Sequence, residues 1–443
     1  MGLTTLPNYG LKGRQARLEL SELLKADLHP ERNFGSYVTS SIDENAELLM
    51  LENYGKNLAC MHEYPALKEI QADCVSMIAN LWHAAVDETP VGAATSGSSE
   101  AILLGMLALK KRWQSRQGSE VATRRPNIVV GKHYHVSIAM SAMVCDLELR
   151  TIDVDKHNGF AIDPAQVSES LDELTVGVVM ILGNTYTGAL DPIYKVSLLL
   201  DEYEDKTGNN VPIHVDAASG GFFVPFLEER IMWDFTLERV VSINASSHKF
   251  GMVPAALGWV IWRDQAYISK DMRHQSSYLM GENEHITAKY SSPSTGIILQ
   301  YYNFVRLGRQ GLEAVMQGAQ MNANMFAKWL HLSGLLYCVD SYYEENPQDS
   351  PKSAIMDRSS HLPVVTFRVA DKVGKANSVI HEQYISEELG KRGYSVPCTT
   401  LPDRDQEHAL RVVVRPSMTE ELLMELYTEI VSIFNTHAAF GTF

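Results

Sequence analysis

Residues 239–251 read RVVSINASSHKFG. Val240, Val241 and Ile243 make an apolar run of strand type, and Ala245-Ser246-Ser247 then turns directly into His248-Lys249. A long charged side chain delivered by a buried strand into a polar turn costs solvation free energy unless something uses it. The neighbouring sequence repeats the same grammar. PNIVVG (126–131), GVVMIL (177–182), IHVDAAS (213–219) and GWVIWR (258–263) are further short apolar runs. Between them, SEAILLGMLALKKRW (99–113), HVSIAMSAMVC (135–145) and YKVSLLLDEYEDKTG (194–208) carry helical periodicity, the first with acid at its start and base near its end. Alternation of this kind from about residue 90 to 263 predicts an α/β domain. Its sheet is expected to be mostly parallel, with helices on both faces and chemistry in the loops at the strand ends.

Beyond this region, 296–308 and 313–330 read as long helices, and EENPQDSPKS (344–353) as a polar connection. Strand-like LPVVTFRV (362–369), helix-like VIHEQYISEELGKRG (379–393) and strand-like LRVVVR (410–415) predict a small α+β C-terminal domain. The expected division is an N-terminal segment 1–31, a large α/β domain 32–319 and a small domain 320–443. At 443 residues with 45% hydrophobic content, the chain can bury a large core. A formal charge of −16 with no basic arm argues against nucleic-acid binding. No apolar run approaches a membrane span, and residues 1–30 hold no signal-peptide core. Five scattered cysteines without CxxC spacing read as reduced thiols, so a cytoplasmic protein is expected.

Three features give Lys249 a use. Thr95-Ser96-Gly97-Ser98-Ser99-Glu100 opens a helix, where exposed backbone N–H groups and the helix dipole favour an anion. Asp216 ends a buried strand and needs a partner for its charge. His135 follows the PNIVVG strand in a polar loop. Each has a plainer meaning alone: an N-cap, an ion pair, a structural histidine. Together, a phosphate cradle, a buried carboxylate and a strand-delivered lysine are the three handles of pyridoxal 5'-phosphate (PLP). The lysine forms a Schiff base with the aldehyde, and the carboxylate keeps the pyridine nitrogen protonated so that the ring accepts electrons. Asp216 and Lys249 lie 33 residues apart, room for a strand–helix–strand excursion back to the same sheet edge. His248 is placed to donate to the phosphate, and His135 to stack on the ring opposite the small Ala218.

The words GSSEA, TYTG, IHVDAASGGF, SxHKFG, GWVIWR, QYYNFVRLG and LRVVVR, with EYP at Glu63–Pro65 and MIANLWHA at Met77–Ala84, resemble the group II PLP-dependent decarboxylases, in particular the glutamate decarboxylases of plants and bacteria. The resemblance runs from about residue 30 to 435. It implies the PLP-dependent transferase fold of type I with a seven-stranded sheet, and α-decarboxylation of an amino acid, L-glutamate to 4-aminobutanoate first among the candidates. By the same resemblance Lys249 is the cofactor lysine and Asp216 the ring-nitrogen partner, with Ser98, Ser99 and His248 at phosphate positions. His135 falls at the stacking position, Thr185 beside the cofactor and Arg411 at the α-carboxylate. Ser36, Tyr37 and Asn57 fall at distal-carboxylate contact positions. Tyr278 matches a mobile-loop proton donor, and Ser291 a serine that reaches the phosphate of a neighbouring subunit. A homodimer or higher homo-oligomer with a shared active site is therefore expected, with no membrane, nucleic-acid or metal partner. The sequence ending HAAFGTF lacks a basic Trp-containing tail, so no calmodulin binding is expected.

Three positions depart from the pattern. Cys60 stands where the resembling enzymes carry aspartate, and TAKYSS puts Lys289 in place of an asparagine and Ser292 in place of a cation. Losing an acid at Cys60 and gaining a cation at Lys289 make the region less negative, which suits an acidic substrate or reshapes the pocket for another. A decarboxylase of a different amino acid, such as aspartate or a specialised-metabolite precursor, is the alternative. A non-catalytic relative is a further one, against which the intact Lys249, Asp216 and Arg411 argue.

Overall fold

The computed structural model describes residues 4–58, 62–84, 91–118, 124–227, 231–276, 283–289, 294–339, 361–376, 378–402 and 407–438. Three helices come first: α1 (Gly13–Leu24), which buries no side chain, α2 (Glu44–Asn53) and α3 (Pro65–Leu81). The alternating region follows as β1 (Val91–Thr95), α4 (Ser98–Arg116), β2 (Asn127–Gly131), α5 (Val136–Val144), β3 (Glu148–Ile152), α6 (Pro164–Glu169), β4 (Thr175–Ile181), α7 (Ile193–Thr207), β5 (Ile213–Asp216), β6 (Val240–Ser246) and β7 (Gly258–Trp262). A short antiparallel pair, β8 (His274–Ser276) and β9 (Asn283–His285), precedes α8 (Thr295–Leu332). The chain ends with β10 (Leu336–Cys338), β11 (Val364–Val369), α9 (Asp371–Ala376), α10 (Glu382–Lys391), β12 (Cys398–Thr400), β13 (His408–Val413) and α11 (Glu420–Ala438).

The large sheet has seven strands in the order β1-β7-β6-β5-β4-β2-β3. From β6 to β3 the strands are parallel, while β7 runs antiparallel to both β6 and β1. Alternate side chains leave the sheet on opposite faces. Val178, Met180, Ile213 and Val215 join one core with α3, α7 and the first half of α8. Val176, Val179 and Ile181 join a second core with α4 and α5. Both faces are therefore covered, which is why these strands read as continuous apolar runs. The smaller antiparallel sheet, β10-β11-β13-β12, packs with the end of α8, α10 and α11 in a separate core.

One expectation is corrected in detail. The link between β5 and β6 holds no α-helix among its described residues, only a 3-10 turn at Val224–Phe226. Small residues from Ala217 to Gly221 fold tightly instead, and Trp82 Nε1 donates to the Gly221 carbonyl. The two long helices read at 296–330 are present: they meet within α8 at Gly308, whose φ of 59° and ψ of −173° are non-helical and lie where glycine is tolerated. Among the described residues no helix is long and apolar enough to cross a membrane. Cys74, Cys145, Cys338 and Cys398 form no disulfide.

Candidate active site

The parallel strands converge, at their carboxyl ends, on a cavity of about 230 Å³. β5 delivers Asp216, the turn after β6 delivers His248 and Lys249, the loop after β2 delivers His135, and the loop after β4 delivers Thr185. The N-terminus of α4 closes the cavity with Ser96, Gly97, Ser98 and Ser99, and Ala218 and Ser219 complete the wall. Gly97 has φ 143°, a conformation suited to glycine, and β7 approaches it so closely that a Cβ on Gly258 would lie 2.5 Å from the Gly97 carbonyl carbon. The crowding brings the helix N-terminus over the lysine turn. Ser246 Oγ donates to Ser98 Oγ at 2.7 Å, tying the two together.

Lys249 Nζ donates to Ser219 Oγ at 3.1 Å and sits 4.9 Å from the centre of the Tyr37 ring. Burial, opposed by Asp216 and reinforced by the positive Arg411, lowers the lysine pKa to about 8. Asp216 is buried, and its Oδ1 accepts from Asn244 Nδ2 at 2.9 Å and from the Ala218 amide at 3.1 Å. His248 Nδ1 lies 3.2 Å from the Leu257 carbonyl, which fixes a hydrogen on Nδ1. Its Nε2 then donates to an anion only as imidazolium. Burial, with Lys249 beside it, lowers the pKa of His248. His135 caps α5, its Nδ1 accepting from the Ser137 amide at 3.2 Å, and burial and Lys249 lower its pKa too.

A segment before α2 forms a second wall beside Lys249. Tyr37 is buried, its hydroxyl donates to the Thr185 carbonyl at 3.3 Å, and burial raises its pKa to about 12. The Arg411 guanidinium, carried by β13, lies 5.7 Å from the same ring. It donates to the carbonyls of Thr185 (2.6 Å) and Gly35 (2.8 Å), while its buried Nε has no hydrogen-bond partner among the described residues. Thr39 binds the lysine turn directly, its amide donating to the His248 carbonyl at 2.7 Å.

Lys249, Asp216, Ser98, Ser99, His135, Thr185, Ala218 and His248 thus share one cavity, with Tyr37 and Arg411 beside it. Ser36 and Asn57 do not line it. Ser36 Oγ accepts from the Val38 amide, and Asn57 is part-buried two turns of chain after α2. Tyr278, Ser291, Ser292 and Cys60 lie outside the described residues, and Lys289 is exposed. Sequence reasoning missed Ser219, Asn244, Ser246 and His133. His133 lines the cavity and pairs through Nε2 with the buried Asp191 at 2.8 Å. The signal for Ser219 was its place three residues after the strand-end aspartate; Asn244 and Ser246 alternate along β6 on the same side, a period-2 pattern inside an otherwise apolar strand.

The donor set fits a phosphorylated pyridine aldehyde: an amine, a buried carboxylate, and a hydroxyl-lined helix N-terminus with an imidazole. A profile of the pyridoxal-dependent decarboxylase conserved domain matches residues 29–335. A glutamate decarboxylase of Saccharomyces cerevisiae is 35% identical over 97% of this chain and 78% of the relative, and glutamate decarboxylase beta of Listeria monocytogenes is 35% identical over 96% and 88%. The solved glutamate decarboxylase of Lactobacillus brevis superposes with a TM-score of 0.89 at 30% identity, covering 98% of this chain and 95% of that one.

Proposed function

This chain belongs to the pyridoxal-dependent decarboxylase family, and from that premise we propose that it removes the α-carboxylate of L-glutamate to give 4-aminobutanoate and CO2. It is a PLP-dependent carboxy-lyase. The observation that carries the substrate-binding half of this reading is the meeting of Lys249 and Arg411 at the ring of Tyr37. When bound, the cofactor supplies an electron sink for the charge left behind as CO2 departs.

Lys249 holds the cofactor through Nζ, and its lowered pKa keeps a useful fraction of the amine neutral near neutral pH. Asp216 binds the ring nitrogen and favours its protonated form. The α4 N-terminus, Ser98, Ser99 and His248 take the phosphate, whose negative charge favours the imidazolium needed for His248 Nε2 to donate. His135, Ala218 and Thr185, which line the same cavity, would hold the ring, His135 by stacking. Arg411 orients the α-carboxylate, for which its Nε–H is an unused donor. Ser36, Tyr37 and Asn57 are assigned to the distal carboxylate, and Lys289 and Cys60 are the positions that tune it. Tyr278 or Lys249 returns a proton to the α-carbon.

The assembly proposed is a homodimer or larger homo-oligomer in which Ser291 reaches the phosphate of the neighbouring copy. It is supported by the apolar side chains of Val136, Met140, Met143 and Val144 on α5, each more than half exposed beside His135. A cytoplasmic location, and a division of the chain at 1–31, 32–319 and 320–443, belong to the same proposal. The second boundary is supported by α8, where Met316 and Ala319 join the large core and Ala323 and Phe326 the small one.

The test is CO2 release by the PLP-loaded protein from a panel of amino acids, with Lys249→Ala as control. Glutamate is expected to lead and Lys249→Ala to lose both activity and the visible absorbance of bound cofactor. If another amino acid leads, the glutamate assignment is wrong and attention moves to Lys289 and Cys60. No release from any substrate, with cofactor bound, overturns the reaction.

A further inference from the structure

Behind Asp216, on the face of the sheet that packs against α4, the strands bury side chains that a packed apolar layer has no need of. His214, Ser242 and Asn244 are each fully buried. The register pairs His214 with Ser242 and Asp216 with Asn244 across β5 and β6. Ser242 Oγ lies 2.7 Å from His214 Nδ1, His214 Nε2 lies 2.9 Å from Asn244 Oδ1, and Asn244 Nδ2 donates to Asp216 Oδ1 at 2.9 Å. Chemistry fixes every direction in this chain. The carboxylate only accepts, so Asn244 presents its amide hydrogen to it and turns its Oδ1 to the histidine. His214 must then carry its hydrogen on Nε2, and its Nδ1 accepts from the Ser242 hydroxyl.

The helix above is cut back to admit the imidazole. A Cβ at Gly105 of α4 would lie 2.5 Å from His214 Cε1. Burying this row costs desolvation that three aliphatic side chains would not incur. Its two ends show what it does. One end is a hydroxyl whose side-chain hydrogen bond among the described residues stays within the row, and the other is the carboxylate that lines the cavity. Asn244 and the Ala218 amide both take Oδ1, so Oδ2 is the oxygen available to a ligand.

We propose that Asn244 and His214 are positioning residues that hold the Asp216 carboxylate by Oδ1 and so set which oxygen meets the ring nitrogen of the cofactor. The proposal rests on Asp216 being that nitrogen's partner. Asn244 makes the contact with Asp216, and His214 acts through Asn244 by holding its amide in one orientation.

The experiment measures the affinity of the apo protein for PLP and for the carbocyclic analogue in which a C–H replaces the ring nitrogen. The ratio of the two dissociation constants reports the nitrogen contact alone. Asn244→Ala is expected to weaken PLP binding by roughly tenfold or more, the scale of a hydrogen bond to a charged group, and to leave the analogue within about twofold. His214→Leu shifts the ratio in the same direction by less, and His214→Gln, whose side-chain amide donates to Asn244, restores it. Equal weakening of both ligands by Asn244→Ala overturns the proposal, because a purely structural role does not sense the nitrogen. Asp216→Asn separates the two layers. If it fails to change the ratio, the ring-nitrogen reading of Asp216 fails. If it changes the ratio and Asn244→Ala does not, only the positioning role fails. Asn244→Ala decides alone if the His214 variants do not fold.

Discussion

The two walls of the cavity are built on different principles. The wall holding Lys249, His248, Asp216 and Ser98 comes from strand ends and a helix start within one sheet, so hydrogen-bonded register sets its geometry. The wall holding Tyr37 is a segment without regular pairing, pinned by one arginine of β13 and one just after it. Arg411 takes the carbonyl of Gly35, and Arg415 takes those of Asn33 (2.8 Å), Ser36 (3.1 Å) and Pro30 (3.3 Å). The first wall specifies side chains and the second specifies a backbone path. A substitution in the first should therefore change chemistry in place, and one in the second should change where a whole segment lies.

Arg411→Met tests whether the walls are separable, and it carries the largest expected effect. The loss of an oriented, desolvated cation is expected to lower kcat/KM by about 2–4 kcal/mol of transition-state binding, roughly a thirtyfold to a thousandfold drop. Because Arg411 contributes to lowering the Lys249 pKa, the pH midpoint of that amine in the apo protein should rise. The visible absorbance of bound PLP should stay near wild-type intensity at saturating cofactor. Loss of that absorbance would show that the segment wall also holds the cofactor, and the division drawn here would collapse.

Arg415→Met comes next, and it separates path from chemistry within the second wall. Burial lowers the Arg415 pKa, to about 10, yet both terminal nitrogens of its guanidinium donate to backbone carbonyls. Removing it strands those carbonyls and should cost roughly 2–3 kcal/mol of stability, read as a shift in the urea midpoint. Hydrogen-exchange protection should fall across residues 33–39 more than across β5 and β6. Uniform loss of protection would mean that the segment is not an independent unit.

This contrast also explains what was legible in the sequence. Lys249, Asp216 and the serines of α4 stood out because an apolar strand or a helix start leaves a polar side chain conspicuous. The mostly parallel sheet followed from the same alternation, and its seven strands from the family resemblance, although nothing in GWVIWR told that β7 would run antiparallel. The use of Arg411 and Arg415 as staples was invisible, since their acceptors are backbone carbonyls of residues more than 200 positions earlier, for which side-chain identity carries little signal. His214 was passed over for the opposite reason. It sits inside IHVD, where a residue flanked by strand formers reads as part of the run, and only the missing Cβ of Gly105 reveals the room made for it.

The smallest expected effect concerns the energetic difference between the walls. Arg415 gains backbone partners for its buried charge, whereas Lys249 keeps one neutral hydroxyl and a ring face. The amine is thus held at a cost in the apo protein. With its pKa lowered to about 8 in the folded chain and near 10.5 when unfolded, the unfolded state binds more protons between those values. Stability contributed by this group therefore rises with pH through that window, and the full cost is present below pH 8. Lys249→Met removes the ionisable group and keeps an apolar side chain of similar length. Apo Lys249→Met should be more stable than apo wild type at pH 7 by on the order of 1 kcal/mol after allowance for solvent screening. The difference should shrink as both proteins are taken to pH 10, with other titrations cancelling between them. Equal stability at pH 7 would mean that Asp216 and the Tyr37 ring already compensate the buried charge, and the two walls would then differ in construction but not in strain.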